Sequence, residues 1–125
     1  MEGKTIEVFG KGNSKKDYIF NLDIAMAMVN ALAYKEAVGE VFNVGSGVGT
    51  RFADMVETIL RIVGRGSVEQ KDWPKDYFNV DTGDYISNIS KIKKITPWRP
   101  TISFEEGIKK TYKYYSKYGN YYWRE

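Results

Sequence analysis

A glycine-rich stretch, Gly39–Thr50, constrains the fold of this chain more than any other part of its sequence. Residues Glu40–Val44 have the apolar pattern of a buried β-strand, and Gly45–Gly49 predicts a tight turn into a helix that Thr50 caps. Phosphates often bind at such a junction, because the helix N-terminus presents backbone N–H groups without partners inside the helix. The stretch therefore predicts a strand–turn–helix unit and makes a phosphate-containing ligand a hypothesis to test.

The turn Gly45–Gly49 permits two interpretations. It can be a dinucleotide-binding loop, because it follows a strand, precedes a helix and has Glu69 roughly 20 residues further on, as a ribose-binding acid would be. However, Thr50 occupies the position of the third glycine of that motif, which allows the helix to pack closely on the strand. The missing glycine favours the second interpretation, an ordinary turn from a strand into a helix.

Composition narrows the chemistry available to the chain. Its 125 residues fit one domain, and 42% hydrophobic with 28% charged residues is typical of a globular protein. There is no His and no Cys, and no Tyr is followed four residues later by Lys, so we predict no metal site and no catalytic residue. The net charge of +3 is too small to indicate nucleic acid. The lack of an apolar leader or membrane-spanning stretch predicts a cytoplasmic location.

Hydrophobic periodicity and turn residues predict the other elements. The predicted strands are Thr5–Phe9, Asp17–Phe20, Glu40–Val44 and Ser67–Gln70. The first two are expected to form an open hairpin. The predicted helices are Ile24–Tyr34 behind an Asp23 cap, a helix from Thr50 to Gly64, a short helix at Asn88–Ile95, and a last helix that starts at the capping box Ser103–Glu106. Trp98, between two prolines, is expected to be a packing anchor. The fold class is therefore α/β, with three to four helices on a small, incomplete sheet.

Three sequence blocks occur in order along nearly the whole chain. The first is Val8–Gly12 with Lys16–Tyr18, the second is Gly39–Gly47, and the third runs from Thr82–Tyr85 to Ser103–Gly107. In order and spacing they resemble the C-terminal, substrate-binding part of the extended short-chain dehydrogenase/reductases, the NAD-dependent nucleotide-sugar epimerases and dehydratases. The resemblance implies a fold like the C-terminal substrate subdomain of a Rossmann-type nucleotide-sugar epimerase.

The resemblance implies three substrate-binding residues, which would bind a nucleoside diphosphate sugar. Phe9 stands where the family has an aromatic residue near the nucleotide base. Lys16 stands where the family has a basic residue, usually Arg, that grips the pyrophosphate, and Lys keeps the charge without the bidentate geometry. Asn43 stands where the family has an Asn in the nucleotide-sugar site. On pattern alone Phe9 is an aromatic residue at the end of a strand, for which core packing is expected.

The family places its dinucleotide fingerprint, its Tyr-x-x-x-Lys pair and its catalytic Ser or Thr in an N-terminal half that has no counterpart in this sequence. Residues 1–125 are therefore expected to form one substrate-binding portion that is not catalytic alone. This portion would bind no cofactor by itself, although the family uses NAD. The strand Glu40–Val44 would lack its neighbours in a parallel sheet, so we predict a homo-oligomer or a separate partner that carries the N-terminal half.

Two functions of other classes stay open on the sequence. One is an assembly or interaction module without a ligand. The other is a nucleic-acid-binding protein that uses its basic, Tyr-rich C-terminus, where lysines and tyrosines alternate over residues 109–122. Helical spacing places the lysines on the solvent side of an amphipathic helix, so a solvated face is favoured and nucleic acid is not an expected partner.

Overall fold

The computed structural model of this protein describes residues 3–74 and 83–123, which belong to two units. The first unit is built from Met1–Ser14, Arg51–Gly83 and Glu105–Glu125. The second is built from Lys15–Thr50 and Asp84–Phe104. The chain therefore enters the second unit twice.

The described residues form four strands and four helices. This content confirms the predicted α/β class with a small, incomplete sheet. The strands are β1 (Thr5–Phe9), β2 (Lys15–Asp17), β3 (Gly49–Arg51) and β4 (Ser67–Lys71). The helices are α1 (Asn21–Ala33), α2 (Phe52–Val63), α3 (Ser90–Ile95) and α4 (Phe104–Tyr118), with 3-10 turns at Lys35–Ala37 and Gly119–Tyr121. Among these helices none is long and apolar enough to cross a membrane.

The first unit pairs β1 with β4 in parallel, from Thr5 opposite Ser67 to Phe9 opposite Lys71. Helix α2 lies between these strands in the sequence and buries Val56. It ends where the sequence predicted, because Gly64 adopts a left-handed φ of 73° and donates its N–H to the carbonyl of Leu60 at 2.8 Å.

The predicted hairpin between the first two strands is wrong. Strand β1 pairs with β4, whereas β2 begins at Lys15, earlier than predicted, and pairs with β3. The loop between β1 and β2 binds the start of α2 instead of turning back, since the carbonyls of Gly12 and Ser14 accept the N–H groups of Ala53 and Phe52, each at 3.0 Å. Those two bonds satisfy donors at the start of α2 that have no partner inside the helix.

The core of the second unit consists of Ala27 from α1, Ile89, Ile92 from α3, and Trp98. The indole N–H of Trp98 donates to the carbonyl of Asp23 at 2.9 Å, so this ring is both buried and hydrogen-bonded. The expectation that Trp98 is a packing anchor is confirmed.

The predicted strand Glu40–Val44 is wrong: no described residue pairs with this segment in a strand. Its alternation is nevertheless real, because Phe42 and Val44 pack against the core of the second unit while Val41 is 81% exposed. Alternating burial selects an extended backbone, but a strand also needs a neighbour to accept and donate its backbone hydrogen bonds.

Two of the three predicted helix caps, Asp23 and Thr50, are wrong. Helix α1 begins at Asn21 behind Phe20, and α2 begins at Phe52 behind Arg51, each without a side-chain cap. Thr50 lies in β3 instead. Asp23 lies inside α1, and its carboxylate accepts the N–H of Thr101 at 3.1 Å, the hydroxyl of Thr101 at 2.9 Å and the N–H of Ile102 at 3.0 Å. A distant loop thus uses the carboxylate that the local sequence assigned to the helix end.

Candidate functional site

The glycine-rich turn of the second unit is arranged around the carboxylate of Asp17, which closes β2. One oxygen, Oδ1, accepts the N–H of Ser46 at 2.7 Å and its hydroxyl at 2.5 Å. The other, Oδ2, accepts the N–H of Gly47 at 3.0 Å and that of Ser87 at 3.1 Å. Four donors from two separate segments therefore converge on one side chain.

Glycine at position 45 makes room for this arrangement. A Cβ there would lie 2.4 Å from Oδ2 of Asp17 and 2.5 Å from the Cβ of Ser87, far inside van der Waals contact. The backbone of Gly45 has no left-handed φ, so close approach is the reason for this glycine. At Gly47 the reason differs, since its φ of 73° favours glycine by conformation.

The hydrogen bonds set the charge state of Asp17. Burial raises the pKa of its carboxyl, but the hydroxyl of Ser46 and the backbone N–H groups of Ser46, Gly47 and Ser87 lower it more, so the net pKa is below the usual range. Asp17 is therefore a fixed negative charge at neutral pH.

A fixed carboxylate in the glycine turn decides between the two interpretations of Gly45–Gly49. A dinucleotide loop uses its N–H groups for pyrophosphate, but here the N–H groups of Ser46 and Gly47 already donate to Asp17. A bound phosphate would have to displace this carboxylate or lie against its charge. The turn does not fit the pyrophosphate of NAD, and the interpretation as an ordinary turn is the better one.

Lys16 and Asn43 both belong to the second unit. Lys16 is half-buried in β2, directly before Asp17, and forms a parallel bridge with Tyr85. Two bonds of Lys15 hold the same strand, because its N–H donates to Oδ1 of Asp84 and its carbonyl accepts the N–H of Tyr85, each at 2.8 Å. Asn43 is exposed, and it precedes Ser46 by three residues.

Phe9 belongs to the first unit, at the end of β1. It is half-buried, and its ring centroid lies 5.7 Å from that of Trp73 with 36° between the ring planes. Gly10 allows this contact, since a Cβ there would lie 2.4 Å from Nε1 of Trp73. The aromatic packing expected from the pattern of Phe9 is thus present, with Trp73 as its partner.

The first unit also contains a cavity of about 370 Å³ between β1, β4 and α2. Its lining includes the apolar side chains of Val8, Val56 and Val68, together with the charged Lys11 and Arg61. None of Phe9, Lys16 and Asn43 is among its described lining residues. Among the described residues there is also no cluster of three Asp or Glu that could hold a metal ion.

Sequence reasoning missed the residues that build the turn. Asp17 belongs to the block Lys16–Tyr18 and to the predicted strand Asp17–Phe20, and neither pattern indicates a hydrogen-bonded carboxylate. Ser87 carries no signal, because it meets Asp17 across 70 residues of chain. Gly45 was read as a turn residue, whereas its structural role is close approach to a carboxylate. Such pairings depend on tertiary contacts that no local pattern encodes.

Comparison with known proteins identifies the relationship. A family model described as GDP-mannose 4,6 dehydratase matches residues 1–111. The chain belongs to this family. The relationship to nucleotide-sugar epimerases and dehydratases that the three sequence blocks implied is confirmed.

Individual relatives share the fold and about a third of their length with this chain. It is 32% identical over 114 residues to a UDP-glucuronate 4-epimerase of Thermodesulfobacterium geofontis. The matched region is 88% of this chain and 33% of the relative. The crystal structure of dTDP-glucose 4,6-dehydratase from Bacillus anthracis in complex with NAD is 28% identical, with a TM-score of 0.79 over 98% of this chain and 37% of that one. That of UDP-glucose 4-epimerase from Thermotoga maritima with UDP-glucose is 30% identical, with a TM-score of 0.79 over 92% and 36%.

Proposed function

We propose that this chain is the nucleotide-sugar-binding portion of an NAD-dependent epimerase/dehydratase-like protein, equivalent to the C-terminal part of its relatives. The observation that carries the proposal is the Asp17 cluster, which ties the strand of Lys16 to the segment that follows Asn43. The two segments that carry these residues, which the family resemblance assigns to the substrate, are thereby joined by hydrogen bonds.

The short distance along the chain and across the Asp17 cluster supports a ligand shared by Lys16 and Asn43. Lys16 is bonded to Asp17, and Asp17 contacts Ser46 at 2.7 Å. Asn43 is three residues from Ser46, a separation that spans at most about 11 Å. A cationic and an amide side chain within such reach suit a ligand that carries a diphosphate and a hydroxyl-rich sugar.

The roles follow from the chemistry of each group. Lys16 supplies a point charge with three donors for a diphosphate, and Asn43 supplies both a donor and an acceptor for a nucleotide or sugar hydroxyl. Phe9 keeps the role that the family resemblance assigns to it, near the nucleotide base, as a prediction.

We propose no redox step for the residues of this chain. NAD would supply hydride transfer in the family, but the glycine turn of the second unit does not fit its pyrophosphate, because Asp17 holds the turn's N–H groups. The sequence has no His and no Tyr-x-x-x-Lys pair to move protons at a sugar hydroxyl. Substrate binding without turnover is therefore the function that these residues support.

Calorimetric titration of the purified chain with UDP-glucose and dTDP-glucose tests the proposal. We expect weak binding that Lys16→Ala reduces about tenfold or more, because a charge-assisted contact contributes about 1.5–3 kcal/mol. Lys94→Ala, at an exposed lysine of α3 in the same unit, is the matched control and should leave binding unchanged. Absence of binding, or equal effects of the two substitutions, would refute the site.

The same samples distinguish the rival functions. An assembly module would bind neither sugar nucleotide. A nucleic-acid-binding protein would bind oligonucleotides with an affinity that falls steeply with salt. Two lysines of α4 support the solvated-face interpretation instead, because Lys109 pairs with Glu105 at 2.7 Å and Lys110 with Glu106 at 3.4 Å, each one helical turn earlier.

A further inference from the structure

The face of the β1–β4 sheet that carries Phe9 is polar. Side chains alternate between the two faces of a strand, and the buried Val8 points towards α2, since it lines the cavity beside that helix. Phe9 therefore lies on the opposite face. Its neighbours there are charged, because Lys71, directly across from it, pairs with Glu7 and, at 3.5 Å, with Glu69. The apolar side of the sheet does not hold this aromatic ring.

Trp73 supplies the support that the sheet does not. It follows the end of β4 by two residues, and its ring centroid is 5.7 Å from that of Phe9 in a tilted arrangement. Aromatic pairs at such distances and angles attract each other beyond the effect of burial alone. Both rings are only half-buried, so part of the surface of each stays accessible to a ligand.

Three contacts at Gly10 fix the indole relative to Phe9. The N–H of Gly10 donates to the carbonyl of Lys71 at 2.8 Å, and Nε2 of Gln70 donates to the carbonyl of Gly10 at 2.7 Å. These bonds join the ends of β1 and β4 beside the two rings. The indole itself makes the third contact, because a Cβ at position 10 would lie 2.4 Å from Nε1 and 2.9 Å from Cδ1 of Trp73. A larger residue than glycine would therefore displace the indole.

We propose that Trp73 is the positioning residue for Phe9 and holds its ring in the orientation that stacks on the nucleobase of the ligand. The inference rests on the proposed function and on the predicted role of Phe9 near the base. An unsupported phenylalanine side chain rotates among several conformers, and that freedom is lost on binding. A ring that the indole already holds loses less, so the base binds more tightly.

A residue that acts through Phe9 leaves a distinct pattern of losses. Trp73→Leu and Phe9→Leu should weaken binding by similar factors, about tenfold each, because both remove the same stacking contact with the base. The double variant should therefore also lose about tenfold, whereas independent contacts would give about a hundredfold.

Calorimetric titration of the purified chain measures this pattern, with UDP-glucose or dTDP-glucose, whichever binds more tightly. Trp73→Phe keeps an aromatic ring against Phe9 and should restore most of the affinity that Trp73→Leu loses. Trp123→Leu, at a tryptophan of the same unit that is 57% exposed, is the matched control and should bind as the wild type does. Circular dichroism of each variant checks that the chain stays folded.

A second variant displaces the indole without removing it. Gly10→Ala places a methyl group inside contact distance of Trp73 and should weaken binding as Trp73→Leu does. Gly64→Ala is its matched control, because Gly64 has a similar left-handed φ, 73° against 61°, but no atom within 4 Å of an added Cβ. Both substitutions strain the backbone, and only the first moves the indole.

Saturation-transfer NMR locates the loss within the ligand. In the wild-type chain we expect transfer to the pyrimidine H6 proton and to the anomeric proton of glucose. Trp73→Leu and Gly10→Ala should reduce the pyrimidine signal several-fold relative to the glucose signal. Trp73→Phe and Gly64→Ala should leave the ratio of the two signals close to the wild-type value.

The outcomes separate this inference from the proposed function. Additive losses in the double variant, equal losses at the pyrimidine and glucose protons, or unchanged affinity in Trp73→Leu would overturn the positioning role. Binding that depends on Lys16 and not on Trp73 would leave the proposed function standing without this inference. If neither sugar nucleotide binds to the wild-type chain, both are wrong.

Discussion

The aspartates of the second unit and the charged pairs of the first unit use the same carboxylate group in two different ways. Asp17 and Asp23 each accept backbone N–H groups from segments 29 to 79 residues away. Glu105, in the first unit, accepts hydrogen bonds from two charged side chains, Arg61 at 2.9 Å and Lys109 at 2.7 Å. The first arrangement holds loops in place through their backbone, and the second pairs exposed side chains between α2 and α4 and within α4.

The difference between these regions indicates which carboxylates stabilise the fold most. A backbone N–H that loses its acceptor in a partly buried loop has no alternative partner, and the cost of its desolvation remains. An arginine or lysine at the surface that loses its carboxylate regains water at once. We therefore expect the effects of substitution to fall from Asp23 through Asp17 to Glu105.

The largest effect is expected from Asp23→Ala. It removes the acceptor for two backbone N–H groups and one hydroxyl, on a residue that is only 3% exposed. The free energy of unfolding should fall by about 2–4 kcal/mol, measured by urea denaturation. Asp72→Ala, at an exposed aspartate, should change it little. Equal losses in the two variants would mean that Asp23 does not anchor the loop at Thr101.

A smaller, pH-dependent effect is expected from Asp17→Asn. The amide can still accept from Ser46, but its NH₂ group would face the N–H groups of Gly47 and Ser87. We expect a loss of about 1–2 kcal/mol at neutral pH, less than at Asp23, because water reaches this partly exposed site. Urea denaturation at pH 7 measures it.

The pH dependence has a definite sign. The folded-state pKa of Asp17 lies below the unfolded value near 3.8, so its contribution is complete above pH 3.8 and disappears as pH falls through the lower, folded value. Between pH 5 and pH 2 the wild-type chain should therefore lose more stability than Asp17→Asn. Parallel pH profiles of the two proteins would contradict the hydrogen-bonded carboxylate at this position.

The sequence predicted elements whose signals are local. Gly64 ended α2 where expected, and the strand Thr5–Phe9 followed from its alternation. It failed where tertiary contacts decide. Asp23 has the residue type of a helix cap, but its carboxylate binds a loop 78 residues away. Thr50 has it too, but it lies in β3, which pairs with β2. The pairing of β1 with β4 was missed for the same reason.

In the candidate site, too, local patterns predicted some features and tertiary contacts determine the others. The family resemblance placed Lys16 and Asn43 by motif, and the structure adds the assembly around Asp17 that joins their segments. The phosphate hypothesis for the glycine turn came from its local form, which many turns share. Only the tertiary contact of Asp17 with Ser46 and Gly47 reveals that the turn already holds an anion of its own.

The smallest effect is expected from Glu105→Gln. Hydrogen bonds from Arg61 and Lys109, with their charges, lower the pKa of Glu105 to about 2, so its contribution is complete above pH 4.5 and disappears as pH falls towards 2. This carboxylate is exposed to water and salt, so the change in denaturation midpoint at pH 7 should be smaller than for either aspartate. It should also vanish in about 1 M NaCl, where charges are screened within roughly 3 Å. The effect of Asp17→Asn should persist in the same salt, because that carboxylate binds backbone N–H groups as well as charge. If both effects vanished together, Asp17 would be acting as a surface charge, and the contrast between the two regions would be lost.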